Sequence, residues 1–252
     1  PVSLGSHPPR NVPLTFLAIA LTFGTGAMDV ASFTRLGGVF SSVMTGNLVL
    51  LGLAAARPSG DLAAHTALAF AGYVTGAALG TWIAGPSRPH GQTWPVAVTL
   101  TLVVELAVMG AFSAGWELTQ GQPAGGPQLV LVVVATLGMG LQSAAVRGLG
   151  ASVSTTYLTG TLTGVVASLV AKQRPHHLNH RSVAILAAVA AGAAVGGALI
   201  LTAPAILPAV PLATVTVVIA AAAYHHIQHT GTARALEPLA PQASCRSRFW
   251  KN

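Results

Sequence analysis

The stretch that decides the fold is VFSSVMTGNLVLLG, from Val39 to Gly52. Its flanks are apolar enough to lie in a membrane, yet Thr45, Gly46 and Asn47 stand together in its middle. Glycine weakens a helix, and the two polar side chains must find hydrogen-bond partners where there is no water. The stretch therefore predicts either a short, interrupted spanning helix or a re-entrant segment that enters the membrane and returns.

The composition of the whole chain indicates an integral membrane protein. Of its 252 residues, 52% are hydrophobic and only 7% are charged, and the mean hydropathy is +0.67. Soluble domains carry about 25% charged residues, which they need to cover a solvated surface. The net charge of +7 does not indicate nucleic-acid binding, because the basic residues stand at the ends of apolar runs and not on one face. We expect them to set the topology and to contact anionic lipid headgroups.

Eight apolar runs follow one another along the chain, and a run of about 20 residues is long enough to cross a bilayer. The second and sixth runs are short and rich in Ser, Thr and Gly. We therefore expect an all-α helical bundle with six full transmembrane helices plus two short or re-entrant Thr-Gly segments, with eight spanning helices as the alternative. The runs cover residues 13–34, 38–56, 62–85, 95–116, 127–148, 151–171, 181–203 and 208–228.

The two halves of the chain resemble each other at a fixed offset of 114 residues, which aligns Pro13 with Pro127. Ten of 36 aligned positions are identical, so we expect two tandem repeats and a first run that is retained and not cleaved as a signal peptide. The expected organisation is a tail over 1–12, a first repeat over 13–116, a linker over 117–126, a second repeat over 127–228 and a cytoplasmic tail over 229–252.

The distribution of Lys and Arg predicts which side of the membrane holds the termini. With eight spans, nine basic residues fall on one side and three on the other; with six spans, the count is ten against two. Both topologies obey the positive-inside rule and place both termini in the cytoplasm of a bacterial inner membrane. Four spans per half would give parallel repeats, whereas three would give inverted repeats.

The Thr-Gly triplet occurs once in each repeat, at the same place. A break in helical hydrogen bonding is tolerated in lipid only where protein or a water-filled cavity satisfies the freed groups, and paired breaks are typical of transporter sites. We therefore expect a small solute or ion to bind between the repeats. The competing interpretation is close helix packing through small and polar residues. The candidate binding residues are Thr45, Gly46, Asn47, Thr159, Gly160 and Thr161.

Two acidic residues lie inside apolar runs, and an intramembrane carboxylate indicates function by default. Asp29 follows a Gly-rich segment and is a candidate substrate ligand or proton carrier, paired with Arg147 as a gate; alternatively it is a static strut or a helix N-cap. Glu105 is a second candidate for a proton relay, and Gln142 is a candidate polar contact in the site.

The remaining polar residues give weaker signals. The stretches HHLNH and HHIQH have the helical spacing of metal ligands, but no Cys, Asp or Glu stands beside them, so we expect no metal. Cys245 has no partner for a disulfide. No motif of a soluble enzyme is present, and we expect neither catalysis nor a cofactor. The expected partners are the lipid bilayer and an unknown small solute or ion, with no nucleic acid; a homo-oligomer is left open.

The segment from Gly26 to Ala54, GAMDVASFTRLGGVFSSVMTGNLVLLGLA, resembles the signature of the YoaK-like family of bacterial membrane proteins, a domain-of-unknown-function family. The matching positions include Asp29, Met44 and Asn47, and the second half continues the likeness through GLQSAAVRGLG and STTYLTGTLT. The resemblance implies a polytopic protein of about six spans and supplies no catalytic residues.

Three functions are consistent with these patterns. The first is a small-solute permease or channel with its site between the repeats. The second is a non-transporting membrane scaffold or assembly protein, in which the Thr-Gly motifs only pack helices. The third, which the residues favour least, is an intramembrane enzyme that uses Asp29 and Glu105.

Overall fold

The computed structural model of the protein describes residues 14–57, 59–85, 95–148, 158–170 and 180–236. Within these ranges the chain forms eight α-helices and one short 3-10 helix, with no strand. The α-helices are α1 (Leu14–Arg35), α2 (Met44–Ala56), α3 (Gly60–Ala84), α4 (Val96–Leu118), α5 (Gly126–Gly148), α6 (Leu158–Val170), α7 (His180–Thr202) and α8 (Ala209–Leu236), and the 3-10 helix covers Pro204–Ile206.

Of the eight α-helices in the described residues, six are long and apolar enough to cross a membrane, and two are too short. The spanning helices are α1, α3, α4, α5, α7 and the first part of α8. With 13 residues each, α2 and α6 extend only about 20 Å, whereas the hydrocarbon core of a bilayer is about 30 Å thick. The predicted all-α membrane bundle with six full spans and two short Thr-Gly helices is confirmed.

The helices at the centre of the bundle are α1 and α5, the first helix of each half. About 67% of each span is buried, against 28% to 33% for the other four spans. Because α1 and α5 are surrounded by protein, polar side chains on them can be satisfied by neighbouring helices and need not face lipid.

Each central helix packs mainly against the third helix of the other half, so that α1 lies on α7 and α5 lies on α3. Glycine makes both contacts close. A Cβ atom at Gly192 would meet the carbonyl oxygen of Phe23, and one at Gly76 would meet the carbonyl oxygen of Leu137. The two contacts correspond within two residues at the sequence offset, since Phe23 and Leu137 differ by 114 and Gly76 and Gly192 by 116.

The directions of the helices follow from these contacts. Thr25 of α1 lies beside Gln142 of α5, and the carbonyl of Arg35 lies beside Gln128, so α1 and α5 run antiparallel. Each half also contributes three spans, and an odd number of spans reverses the direction of the next half. The duplication itself stays a prediction from the sequence, with which the matched contacts agree.

The connections at two helix ends refine the predicted boundaries. Helix α4 ends at Leu118 and α5 begins at Gly126, which leaves residues 119–125 within the expected linker. The indole nitrogen of Trp116 donates to the carbonyl of Pro204, 2.9 Å away, and so ties this end of α4 to the second half. Helix α8 continues to Leu236, eight residues beyond the expected end of the second repeat at 228.

Candidate functional site

The segment between α1 and α2 turns back along α1 and returns into the bundle. Gly37 and Gly38 end α1 with φ angles of +83° and +76°, which only glycine adopts readily. After this reversal, Ser41 and Ser42 reach Asp29, which lies six residues before the end of α1. At 1.5 Å per residue, they lie about 9 Å inside that end of the bundle. Residues 36–56 therefore form a re-entrant segment.

Asp29 holds the deepest point of the re-entrant segment through four hydrogen bonds. Its Oδ1 accepts from the backbone and hydroxyl of Ser41 at 2.9 and 2.8 Å, and from the backbone of Ser42 at 2.8 Å. Its Oδ2 accepts from the hydroxyl of Ser42 at 2.6 Å. Four donors match the acceptor capacity of an ionised carboxylate, and the N-terminus of α2 nearby adds a favourable dipole. Asp29 is the anchor of this segment.

Asn47 fixes the other side of the same segment. Its Oδ1 accepts from the backbone nitrogen of Phe40 at 2.9 Å, and its Nδ2 donates to the carbonyl of Phe40 at 2.7 Å. The amide thus satisfies both backbone groups of one residue, as a neighbouring strand would. Asn47 is buried, so these bonds replace those that water provides elsewhere.

The other two members of the triplet have different surroundings. A Cβ atom at Gly46 would lie 3.1 Å from the ring of Phe40, so glycine leaves room for that ring. Phe40 also stacks on Phe33 of α1, with ring centroids 5.1 Å apart. Thr45 is exposed on α2. Contacts within the re-entrant segment therefore explain two residues of the triplet, Gly46 and Asn47.

Substituting Asn47 with leucine should destabilise the protein by about 3 kcal/mol, because each of the two Phe40 backbone groups left unpaired costs about 1–3 kcal/mol. The measurement is the midpoint of thermal unfolding of the purified protein in detergent. Thr45→Val is the matched control, since it changes a neighbouring exposed residue and leaves both bonds intact. Equal midpoints for the two variants would contradict the assigned role of Asn47.

The Thr-Gly residues of the second half lie on α6. Thr159 and Gly160 are exposed and Thr161 is half-buried, and α6 packs mainly on α7. Residues 149–157, which correspond to the re-entrant loop of the first half, lie outside the described residues. Since α2 follows α1 and α6 follows the antiparallel α5, the two short helices enter the bundle from opposite ends, and α2 packs mainly on α3. The structure does not bring them together in one site.

Arg147 is also separated from Asp29. Its Nη2 donates to the hydroxyl of Thr81 at 2.9 Å, at the end of α5. Because α1 and α5 are antiparallel, with Thr25 level with Gln142, Arg147 lies roughly 14 Å along the axis from Asp29. The gate predicted between these two residues is not formed in this structure.

The centre of the bundle holds a chain of three buried polar side chains from three helices. Thr25 Oγ1 donates to Gln142 Oε1 at 2.7 Å, and Gln142 Nε2 donates to Glu105 Oε1 at 2.9 Å. Gln142 and Glu105 were predicted site residues, but Thr25 was not. Its only sequence signal was a Thr between two glycines on an apolar helix, which is too common to single it out.

Glu105 is the least satisfied member of this chain. Its side chain is completely buried near the middle of α4. Its Oε2 has no hydrogen-bond partner among the residues that the structure describes. An unpaired oxygen on a buried carboxyl group is costly, so it indicates a group with a role other than packing.

A second polar chain, which the sequence did not single out, holds the end of α1. The ring nitrogens of His65 lie 2.7 Å from the carbonyl of Asp61 and 3.1 Å from Gln128 Oε1, and Gln128 Nε2 donates to the carbonyl of Arg35 at 2.9 Å. His65 also fills the space beside Gly37. A histidine and a glutamine next to the predicted turns were the only available signals.

The described residues contain no group of three or more His, Cys, Asp or Glu arranged to hold a metal ion. Of the first histidine stretch, His180 begins α7, whereas His176 and His177 lie outside the described residues. His225, His226 and His229 belong to α8, but their side chains are not among those described. The absence of a metal site at these stretches stays a prediction.

Comparison with known proteins identifies the family of this chain. The family model described as "Protein of unknown function (DUF1275)" matches residues 17–223. The UPF0700 transmembrane protein YoaK of Bacillus subtilis is 32% identical over 161 residues, which cover 64% of this chain and 67% of that protein. No solved structure matches.

Proposed function

Because the chain belongs to the DUF1275 family of multi-pass membrane proteins, we propose that it moves a small solute across the membrane, as a permease or channel with its path between the two halves. The family itself names no activity. The proposal therefore depends on the arrangement of the helices and on polar groups within the membrane.

The observation that carries the proposal is the pair of short helices. Helices α2 and α6 do not span, they follow the two central helices, and those helices run antiparallel. Inverted halves with paired interrupted segments are typical of secondary transporters, in which each half closes the path at one side. We assign this closing role to the re-entrant segment at one end and to α6 at the other.

The candidate ligands divide between the ends and the centre of this path. Thr45, Thr159 and Thr161 lie on the short helices, where a passing solute would meet their hydroxyl groups. Gln142 and Glu105 lie at the centre. Asp29 and Asn47 serve the path indirectly, because all of their described bonds hold the re-entrant segment in place.

The alternative function is a membrane scaffold, and two observations favour it. Asp29 and Asn47 are saturated by hydrogen bonds within the protein, and the glycine contacts between α1 and α7 leave no space between those helices. A scaffold needs this rigid packing and no solute path. The two functions therefore differ in whether any solute crosses the membrane.

The test begins with small-molecule profiles of cells that lack, contain or overproduce the protein. We expect at least one compound to change in opposite directions on deletion and on overproduction. That compound is then offered to vesicles containing the purified protein. Uptake should fall several-fold in Thr45→Val, while Thr75→Val, an exposed threonine on α3, should leave it unchanged. Identical profiles in all three strains would overturn the transport proposal and favour a scaffold.

We also propose a bacterial inner-membrane location with both termini in the cytoplasm. The support is the basic-residue count of ten against two for a protein with six spans. A fluorescent protein fused after Asn252 should be fluorescent in cells, whereas an alkaline phosphatase fused at the same place should be inactive. The reverse pattern would place the C-terminus on the other side.

A further inference from the structure

The chain formed by Thr25, Gln142 and Glu105 joins both halves at the centre of the bundle. Thr25 belongs to the first helix of the first half and Gln142 to the first helix of the second half, while Glu105 stands on α4. Their counterparts at the sequence offset are apolar: Met139 for Thr25 and Met28 for Gln142. The polar chain therefore has no counterpart at the sequence offset, although the close glycine contacts of the two halves do match.

Among the side chains that the structure describes on the neighbouring helices, no charged group is hydrogen-bonded to Glu105. Helix α4 packs on α5, α8 and α3. On α5, Arg147 binds Thr81 near the helix end; on α3, Asp61 and His65 lie in the first two turns, at the opposite end. Tyr73 of α3 donates to Ser143, and Tyr224 lies far along α8 from its start at Ala209. On α4 itself, Glu117 lies in the last turn and is exposed.

The positions of the Thr25, Gln142 and Glu105 side chains are compatible with two arrangements of their hydrogen atoms. In the first, Thr25 donates to Gln142 Oε1, and Gln142 Nε2 donates to an ionised Glu105. In the second, the amide of Gln142 is turned over, so that its oxygen accepts from a protonated Glu105 and its nitrogen donates to Thr25. Thr25 can then donate to the carbonyl of Leu21, which already lies 3.0 Å from Oγ1. Turning an amide exchanges donor and acceptor with little change of shape.

We propose that Glu105 is a proton-binding site, in which Gln142 and Thr25 are positioning residues that reorient when the proton binds. A proton from water joins one carboxylate oxygen to give the neutral acid, and its release returns the proton to water. A hard metal cation needs about six oxygen ligands. Among the described residues only Gln142 is hydrogen-bonded to Glu105, which is too few oxygen ligands for such a cation but sufficient for a proton on Oε1. The coupling of this proton to solute movement rests on the proposed transport function, but the proton site itself does not.

The test is infrared spectroscopy of the purified full-length protein in lipid vesicles. We expect the carbonyl stretch of a protonated carboxyl group at neutral pH, shifted in heavy water and lost in Glu105→Gln. Glu117→Gln, an exposed change on the same helix, should retain the band. Gln142→Leu should shift the band without removing it, because it removes only the hydrogen bond. A spectrum without this band, or a band unchanged in Glu105→Gln, would overturn the proposal.

A second measurement avoids dependence on the stability of the variants. Dicyclohexylcarbodiimide reacts with protonated carboxyl groups in apolar surroundings, and mass spectrometry locates the adduct in the wild-type protein. The adduct should appear on Glu105 and not on Asp29, whose oxygens already accept four hydrogen bonds. Labelling of Asp29 without Glu105 would also overturn the proposal. Neither measurement needs a transported solute, so a proton site without transport would leave this inference standing while the proposed function fails.

Discussion

Gly192→Ala is expected to separate α7 from α1 and to destabilise the protein by about 3 kcal/mol, the upper part of the usual range for an overpacked core. The added Cβ would meet the backbone carbonyl of Phe23, and a backbone cannot rotate away as a side chain can. The measurement is the amount of monodisperse protein in gel filtration, together with the midpoint of thermal unfolding.

Gly76→Ala should have a similar effect on the packing of α3 against α5, because its Cβ would meet the carbonyl of Leu137 in the equivalent contact. Gly110→Ala and Gly52→Ala are the matched controls, since both lie within helices and nothing lies within 4 Å of an added Cβ. We expect these controls to be neutral or slightly stabilising, because alanine favours a helix by about 1 kcal/mol. Equal changes in the unfolding midpoint at Gly192 and Gly110 would contradict a requirement for glycine in the contact with Phe23.

The number of spans was predictable from the sequence because it depends on length and hydropathy, which are local properties. The runs that became α2 and α6 differed from the others in length and in Ser, Thr and Gly content, and the helices that form there have 13 residues each. The internal repeat stays a prediction from the sequence, and the glycine contacts at Gly76 and Gly192 agree with it.

The internal partners of the polar residues were not predictable in the same way. The sequence singled out Asp29 and Asn47 because polar groups are costly in lipid, but it did not reveal that Ser41, Ser42 and the Phe40 backbone would satisfy them. These partners depend on the reversal of the chain after Gly37, which sets the register of the returning segment. A hydropathy pattern contains no information about that register.

The antiparallel direction of α1 and α5 explains where the remaining candidate residues lie relative to one another. A site shared by Thr45 and Thr159 requires that α2 and α6 meet, whereas α2 packs mainly on α3 and α6 mainly on α7. Inversion likewise separates Asp29 from Arg147, although it brings Thr25 and Gln142 together at the centre. Once the orientation of α1 against α5 is known, the central acid to examine is Glu105.

Asp29→Leu should have the other large effect, a loss of about 4 kcal/mol or more in the free energy of unfolding. Leucine accepts no hydrogen bond, so the backbone and hydroxyl donors of Ser41 and Ser42 would be left without their acceptor. Removing one side of a buried charged network costs about 3–5 kcal/mol. Thermal unfolding in detergent measures the loss, and thiol labelling of Phe40→Cys in a Cys245→Ser background reports release of the re-entrant segment.

Asp29→Asn separates hydrogen bonding from charge at the same position. Its Oδ1 can still accept from the backbone of Ser41 and Ser42, and its Nδ2 can donate to the hydroxyl oxygen of Ser42, which also accepts. We expect a loss of only about 1 kcal/mol, the usual net worth of one hydrogen bond, and little additional thiol labelling. If Asp29→Asn were as unstable as Asp29→Leu, the negative charge beside the N-terminus of α2 would be the dominant contribution. If neither variant lost stability, Asp29 would not be the anchor of the segment, and a direct role in the solute path would become the better explanation for a carboxylate at this depth.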